Sequence, residues 1–303
     1  MKKTGIYLTV LLLSAVFWSC KEDKLSSESI FKDPDPSTMT EFDKWILNNY
    51  TYPYNILFKY KMQDIESNKD YELVPAEIDK AIAMAKIIKH LWIEVYDEVA
   101  GVNFTRAYIP KIIHLIGSGA YNSNNTVLLG TAEGGIKVTL YRINNLDPAT
   151  VTAEELTSNY LRTMFHEFAH ILHQNKNYSE EFAQLSNAYY VSDDWSESSE
   201  TLDKAYKLGF ISRYARKEPN EDFVEMIAYF VVRGQANWDN ILKAAEKTDP
   251  NAEGPDGAAI IRQKFAIIQS YLKDAWNIDI YELRSVFEKR TTTLHSLNLT
   301  TFE

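Results

Sequence analysis

Beyond Cys20 the 303-residue chain has no cysteine. A disulfide framework is therefore excluded, and the fold must be held by packing and hydrogen bonds alone. A second long apolar run is also missing. After residues 6–18 nothing approaches the roughly 20 apolar residues that a membrane-spanning helix needs. Basic charge is in short supply: 32 Lys and Arg face 42 Asp and Glu, for a net charge of −10. A nucleic-acid binder would show a basic stripe, so that class of partner is set aside. Internal repeats and low-complexity blocks are absent as well, which excludes an array of stacked units.

What is present begins at the N-terminus. Lys2 and Lys3 precede an apolar core over residues 6–18 that ends at Ser19-Cys20, the pattern of a secretory leader. A small residue followed by cysteine is where bacterial lipoprotein leaders are cut and acylated. Phe17 and Trp18 depart from the small or aliphatic residues usual there. Cys20 is thus expected to carry a lipid anchor. Residues 21–36 are charged, polar and Pro-punctuated, too poor in apolar side chains to bury a core, and form a tether. Lys21-Glu22-Asp23 resembles the acidic surface-export tag of some Gram-negative lipoproteins. The expected division is a leader over 1–19, the lipidated cysteine and tether over 20–37, and one globular domain over 38–303.

Within that domain, residues 38–49 are expected to form a helix and residues 53–62 alternate as a strand. Apolar spacing through Ile78, Ile82, Ala85, Ile88, Leu91 and Val95 predicts a helix over 75–100. Strands are expected at 111–117, 126–130 and 135–142, bounded by Gly and Asn turns. Further helices are expected at 180–190, 199–207, 219–233, 238–247, 258–276 and 280–290. Between them, residues 191–195 are expected to line a cleft.

The chemistry concentrates in residues 163–174, which contain His166-Glu167-Phe168-Ala169-His170. Residues four apart share one helix face, so both imidazoles can point at a single ion. Zinc takes such nitrogen ligands and in catalytic sites keeps one position open for water. Glu167 then stands beside that water as a candidate general base. Thr152 and Glu155 have capping-box spacing, and no Pro or Gly interrupts residues 152–174, so the motif belongs on a helix.

A third protein ligand is required. The continuation Gly-x-x-His is absent, because His173 and Lys176 occupy those positions. A glutamate from a later helix is the other usual source. Pro219 and Asn220 open such a helix, and Glu221 and Glu225 lie on one face of it. One carboxylate can bind metal while the other hydrogen-bonds a ligand histidine.

His-Glu-x-x-His followed by this Glu-x-x-x-Glu helix resembles the gluzincin metallopeptidases, with spacing closest to the lethal-factor-type toxin protease. That family carries a tyrosine seven residues before its glutamate ligand; here Tyr214 stands seven before Glu221. With the lipoprotein leader and the segments 209–215 and 219–225, the chain resembles the zinc metallohydrolase lipoproteins associated with outer-membrane, TonB-dependent import. The resemblance implies a zincin-like α+β fold: a small, mostly antiparallel sheet, then the active-site helix, then a predominantly helical C-terminal lobe. Residues 130–135 would supply the edge strand or its loop. It further implies one zinc ion on His166, His170 and Glu221, with Glu225 orienting a ligand histidine. Glu167 would act as base and Tyr214 would stabilise the oxyanion. A peptide or protein substrate, an outer-membrane import complex and a cell-surface location complete the expectation.

Four histidines remain. His114 falls in the strand expected at 111–117, His90 is assigned to structure, His295 to background, and His173 to structure or support of a ligand. A catalytically silent zinc-containing subunit of an import complex is the alternative function, and a non-peptidase zinc hydrolase a third.

Overall fold

The structure is a computed structural model that describes residues 36–62, 70–121, 127–128, 130–133, 136–249, 251 and 253–302. The leader, Cys20 and most of the tether lie outside these. By compactness the chain divides into Met1–Thr40, of which only the short 3-10 turn Pro36–Thr38 and its flank are described, and Glu41–Glu303. The second unit holds every element considered below.

Helices of six or more residues are α1 (Glu41–Ile46), α2 (Ile78–Ile88), α3 (Glu94–Ala100), α4 (Val102–Tyr108), α5 (Arg162–Asn175), α6 (Leu202–Lys207), α7 (Pro219–Val232), α8 (Gly234–Ala245), α9 (Gly257–Trp276) and α10 (Ile280–Thr291). Strands are β1 (Leu57–Lys59), β2 (Ile112–Leu115), β3 (Ala120–Tyr121), β4 (Val127–Leu128), β5 (Gly130–Glu133) and β6 (Lys137–Leu140). The helix expected over 75–100 exists as α2 and α3 joined through a wider π-type turn, Lys89–Ile93. The strand expected over 53–62 shrinks to β1. The helix of α1 instead continues through a π-type stretch, Leu47–Thr51, into a last turn, Tyr52–Tyr54, that takes in Pro53, and Asn55 ends it in the left-handed conformation at φ 55°.

Among the described residues the main sheet has the order β1-β2-β6-β5. The expected antiparallel character is corrected here: β1 pairs parallel with β2 and β2 parallel with β6, and only β5 runs antiparallel, against β6. The cause is connectivity. The helices α2 to α4 intervene between β1 and β2, and a parallel pair requires such a crossover. The small hairpin β3-β4 and then β5 separate β2 from β6. Residues 130–133 do form an edge strand, as one of the two expectations held.

The helix carrying the motif begins where the sequence signals it. Thr152 accepts from the Glu155 backbone N–H at 3.2 Å, and the Glu155 carboxylate accepts from the Thr152 N–H at 2.9 Å. After one α-turn, Ala153–Leu156, the backbone widens into a π-type stretch, Thr157–Leu161, before continuing as α5. Phe165 and Phe168 project to the side away from the histidines and are fully buried. Phe168 meets Tyr96 edge-on at 4.6 Å and Trp92 at 5.8 Å, while Phe165 meets Phe287 of α10 at 5.5 Å. Edge-on aromatic contacts of this kind each add about 0.5–1.5 kcal/mol beyond burial. They fix the rotation of α5, and so the direction of the histidines.

An ion-pair cluster joins the ends of this core. Arg290 of α10 donates to Glu94 at 2.7 Å and to Glu98 at 3.1 Å, and Lys89 also contacts Glu94. Burial raises the Glu94 pKa, but hydrogen bonds from His90 and Lys89 and the charges of Lys89 and Arg290 outweigh it. The carboxyl falls from 4.5 to about 2. A depressed carboxylate contributes stability above its unfolded pKa and loses it as pH falls through the folded value. Glu94→Gln is therefore expected to cost about 1–2 kcal/mol at pH 7, with the difference from wild type vanishing between pH 4.5 and 2. Urea unfolding of both proteins across that pH range checks this; a pH-independent gap would contradict it.

Candidate metal centre

α5 and α7 pack face to face, and their polar faces meet. α5 presents His166 and His170 one turn apart. α7 starts at Pro219, whose missing N–H costs nothing at the first helical position, so Glu221 falls in its first turn. There its carboxylate benefits from the helix dipole. Glu221 Oε2 lies 3.1 Å from His166 Nε2 and 3.3 Å from His170 Nε2. Among the described residues these three make up the group able to hold a metal ion.

The donors fit zinc. Four ligands at about 2.0–2.1 Å in a tetrahedron stand about 3.3–3.4 Å from one another, close to the separations seen here. Two neutral nitrogens and one carboxylate are also the donor chemistry of catalytic zinc sites.

Each ligand is held from behind. His166 Nδ1 lies 2.9 Å from Glu225 Oε1, which fixes the ring with Nε2 turned to the centre. Glu225 is fully buried and saturated: Arg162 donates to it at 2.7 Å and Ser212 Oγ at 2.8 Å. Ser212 is itself held by the Ala215 N–H at 3.0 Å. His170 Nδ1 lies 2.9 Å from His173 Nε2. With His170 Nε2 directed to a metal, its Nδ1–H must be the donor, so His173 must accept. Burial, reinforced by the neighbouring His170, brings the His173 pKa down to about 4, which keeps that lone pair available at neutral pH. Glu221 Oε1 accepts from the Tyr214 hydroxyl at 2.8 Å and from Lys217 Nζ at 3.1 Å.

The ionisations follow from this packing. Burial pulls His166 down, but the hydrogen bonds to Glu221 and Glu225 outweigh it and lift the ring to about 9 without metal. Burial raises Glu221 and Glu225, yet the partners named above hold both below the usual carboxylate range. Glu167 moves the other way. Burial raises it, and the charges of His166 and His170 only partly offset the rise, which leaves a more basic carboxylate beside the donors. Tyr214 is pushed well up by burial and by Glu221, so its hydroxyl keeps its proton.

The structure thus brings together His166, His170, Glu221, Glu225, Glu167 and Tyr214, all six named from the sequence. Trp195 stands edge-on to Tyr214 at 4.9 Å, where residues 191–195 were expected to form a cleft wall. His90 lies in the ion-pair cluster near Arg290, away from the centre. Sequence reasoning missed Arg162, Ser212 and Lys217. Arg162 was within reach of it, since it stands four residues before His166 and hence on the same face. Nothing marked Ser212. Asp222, beside Glu221, is tied by a fully buried ion pair to Lys264 of α9 and accepts from Tyr190 at 2.9 Å.

This donor set on a motif helix beneath a small sheet defines a zincin-like α+β protein. Residues 35–281 match the family described as "Putative zinc-binding metallo-peptidase", and the chain belongs to that family. It is 42% identical to a protein of Bacteroides caccae ATCC 43185 whose crystal structure is described in the same words. That likeness covers 91% of this chain and 100% of the other, with a TM-score of 0.74. No curated protein matches the chain.

Partners behind metal ligands typically contribute 10–100-fold in affinity. Glu225→Ala is expected to weaken zinc binding towards the upper end, about 100-fold, because it also leaves the partly buried Arg162 without its carboxylate. His173→Ala should weaken it about 10-fold. Competition against a chromophoric chelator measures both, and an affinity unchanged in either variant would remove that residue from support of the site.

Proposed function

We propose that the protein is a zinc-dependent peptidase, with zinc on His166, His170 and Glu221. The observation that carries the reading is the convergence of these three donors with two further groups suited to amide hydrolysis, Glu167 and Tyr214. When bound, zinc supplies polarisation of the scissile carbonyl and a more acidic water.

The protein's own residues do the rest. Glu167, with its raised pKa, takes the proton from the attacking water and passes it to the leaving amine. Tyr214 keeps its proton and donates it in a hydrogen bond to the carbonyl oxygen as that atom gains charge. Its ring lies 6.0 Å from that of His166, next to the metal donors. Glu225 and His173 keep the two imidazoles pointing inward. The edge strand β5, antiparallel to β6, ends the sheet among the described residues and is the strand to which an extended peptide would add.

The same reading places the enzyme on the outer membrane, anchored through a lipid on Cys20 and facing the cell exterior, where its products feed an import complex. The leader pattern and the acidic residues after Cys20 support this. No helix among the described residues is long and apolar enough to cross a membrane.

Glu167→Gln is expected to retain zinc and lose turnover by about 10²–10⁴-fold, the usual contribution of a general base. Glu221→Ala should lose the metal itself. Tyr214→Phe should bind zinc and lower kcat about 10²-fold. Zinc per chain and cleavage of a diverse peptide library test all three. Full turnover in Glu167→Gln would end its role as base. Tight zinc with no cleavage of any peptide by wild type would favour the silent binding subunit. For the anchor, radiolabelled palmitate is expected to enter the wild type and not Cys20→Ser; equal labelling would place the lipid elsewhere.

A further inference from the structure

Glu221 uses its two carboxylate oxygens differently. Oε2 faces both histidine Nε2 atoms, at 3.1 and 3.3 Å, whereas Oε1 turns away and accepts two hydrogen bonds, from Tyr214 at 2.8 Å and from Lys217 at 3.1 Å. The carboxylate is only 9% exposed, so water has little room to replace a lost donor. A tyrosine hydroxyl has a single proton to donate. Once Tyr214 directs it at a substrate oxygen, it cannot also hold Oε1.

The geometry points to Lys217 as the positioning residue that resolves this conflict: its ammonium stays on Glu221 Oε1, keeps the carboxylate facing the centre through Oε2 alone, and thereby releases the Tyr214 hydroxyl for the substrate. A lysine suits the task because it has three donors and no acceptor, and can follow Oε1 through small shifts. Its own position is fixed from two sides. The Lys217 N–H donates to the Tyr214 carbonyl at 2.9 Å, and its carbonyl accepts from the Ser192 N–H at 3.1 Å. Nζ sits 5.4 Å from the centre of the Tyr214 ring, within reach of a cation–π attraction. Lys217, Tyr214 and the Trp195 segment therefore move as one wall. If Lys217 were absent, departure of Tyr214 would leave Oε1 bare and free to swing inward as a second donor.

This inference rests on the peptidase reading for its rate measurements but not for its metal measurements. The test compares the wild-type full chain with Lys217→Met, Lys217→Arg, Tyr214→Phe and the double variant Lys217→Met/Tyr214→Phe. Cobalt(II) in place of zinc reports coordination number through its visible absorption, which is intense for four ligands and weak for five.

In Lys217→Met the resting cobalt band is expected to stay in the four-coordinate form, because Tyr214 still holds Oε1, while kcat falls about tenfold; in the double variant the band weakens towards the five-coordinate form and zinc Kd rises about tenfold. Lys217→Arg should restore most of kcat. The double variant carries the decisive sign. Removing Lys217 in the Tyr214→Phe background should weaken zinc by more than in wild type, because Oε1 then has no donor left. Its further effect on kcat should be smaller than in wild type, because there is no hydroxyl left to release.

A wild-type cobalt spectrum and zinc Kd in the double variant would overturn the proposal, and so would equal kcat losses on removing Lys217 in both backgrounds. If wild type binds zinc but cleaves nothing, the spectra and affinities still decide the role of Lys217. If wild type binds no zinc, the metal reading falls and this inference with it.

Discussion

The carboxylate of Glu225 is the constraint on which the centre depends. It is fully buried on α7, and a buried charge is tolerable only when paired and fully hydrogen-bonded. Arg162 and His166 reach it from α5, and Ser212 from the segment before α7. Any rotation of α5 against α7 would leave that charge unsatisfied. The pairing thus locks together the two helices that supply all three candidate metal donors. The aromatic packing of Phe165 and Phe168 works from the opposite side of α5 to the same end. Metal geometry here is the by-product of a charge that has nowhere else to go.

Much of the site was legible because helical period converts sequence spacing directly into direction. His166 and His170, then Glu221 and Glu225, are both i, i+4 pairs, and that spacing alone puts each pair on a shared face. The capping box at Thr152 and Glu155 formed as spaced, since both of its hydrogen bonds are local. Tyr214 was placed by a resemblance, and the structure sets it against Glu221. Less local features were hidden. Ser212 and Lys217 act from an irregular segment whose path is set by tertiary contacts, where spacing carries no direction.

The fold shows the same division. Helix limits after residue 199 were close to those expected, because apolar periodicity and caps such as Asp256 and Asp279 are local signals. Sheet polarity was not. Whether neighbouring strands run parallel depends on the route of the connection, and the sequence of β2 and β6 is equally compatible with both. The strand expected around Pro53 failed for a local reason instead, since the helix begun at Glu41 runs on to Tyr54 and is closed only by Asn55 in the left-handed conformation.

The π-type turn at Thr157–Leu161 has a consequence for how this chain tolerates insertions and deletions. An α-helix advances about 100° per residue, and a π-type turn accommodates an extra residue without breaking the rod. The capping box and the histidine motif are therefore set in phase by a local excess of backbone rather than by helix length alone. Loss of one residue between 157 and 161 would let the stretch close as ordinary α-helix with the histidines still facing Glu221, whereas the same loss between 162 and 165 has no slack to draw on and would turn them about 100° away. The widened stretch is thus the one place between cap and motif where chain length is free to change, while beyond it the phase of the helix surface is as constrained as the residues that bear the chemistry.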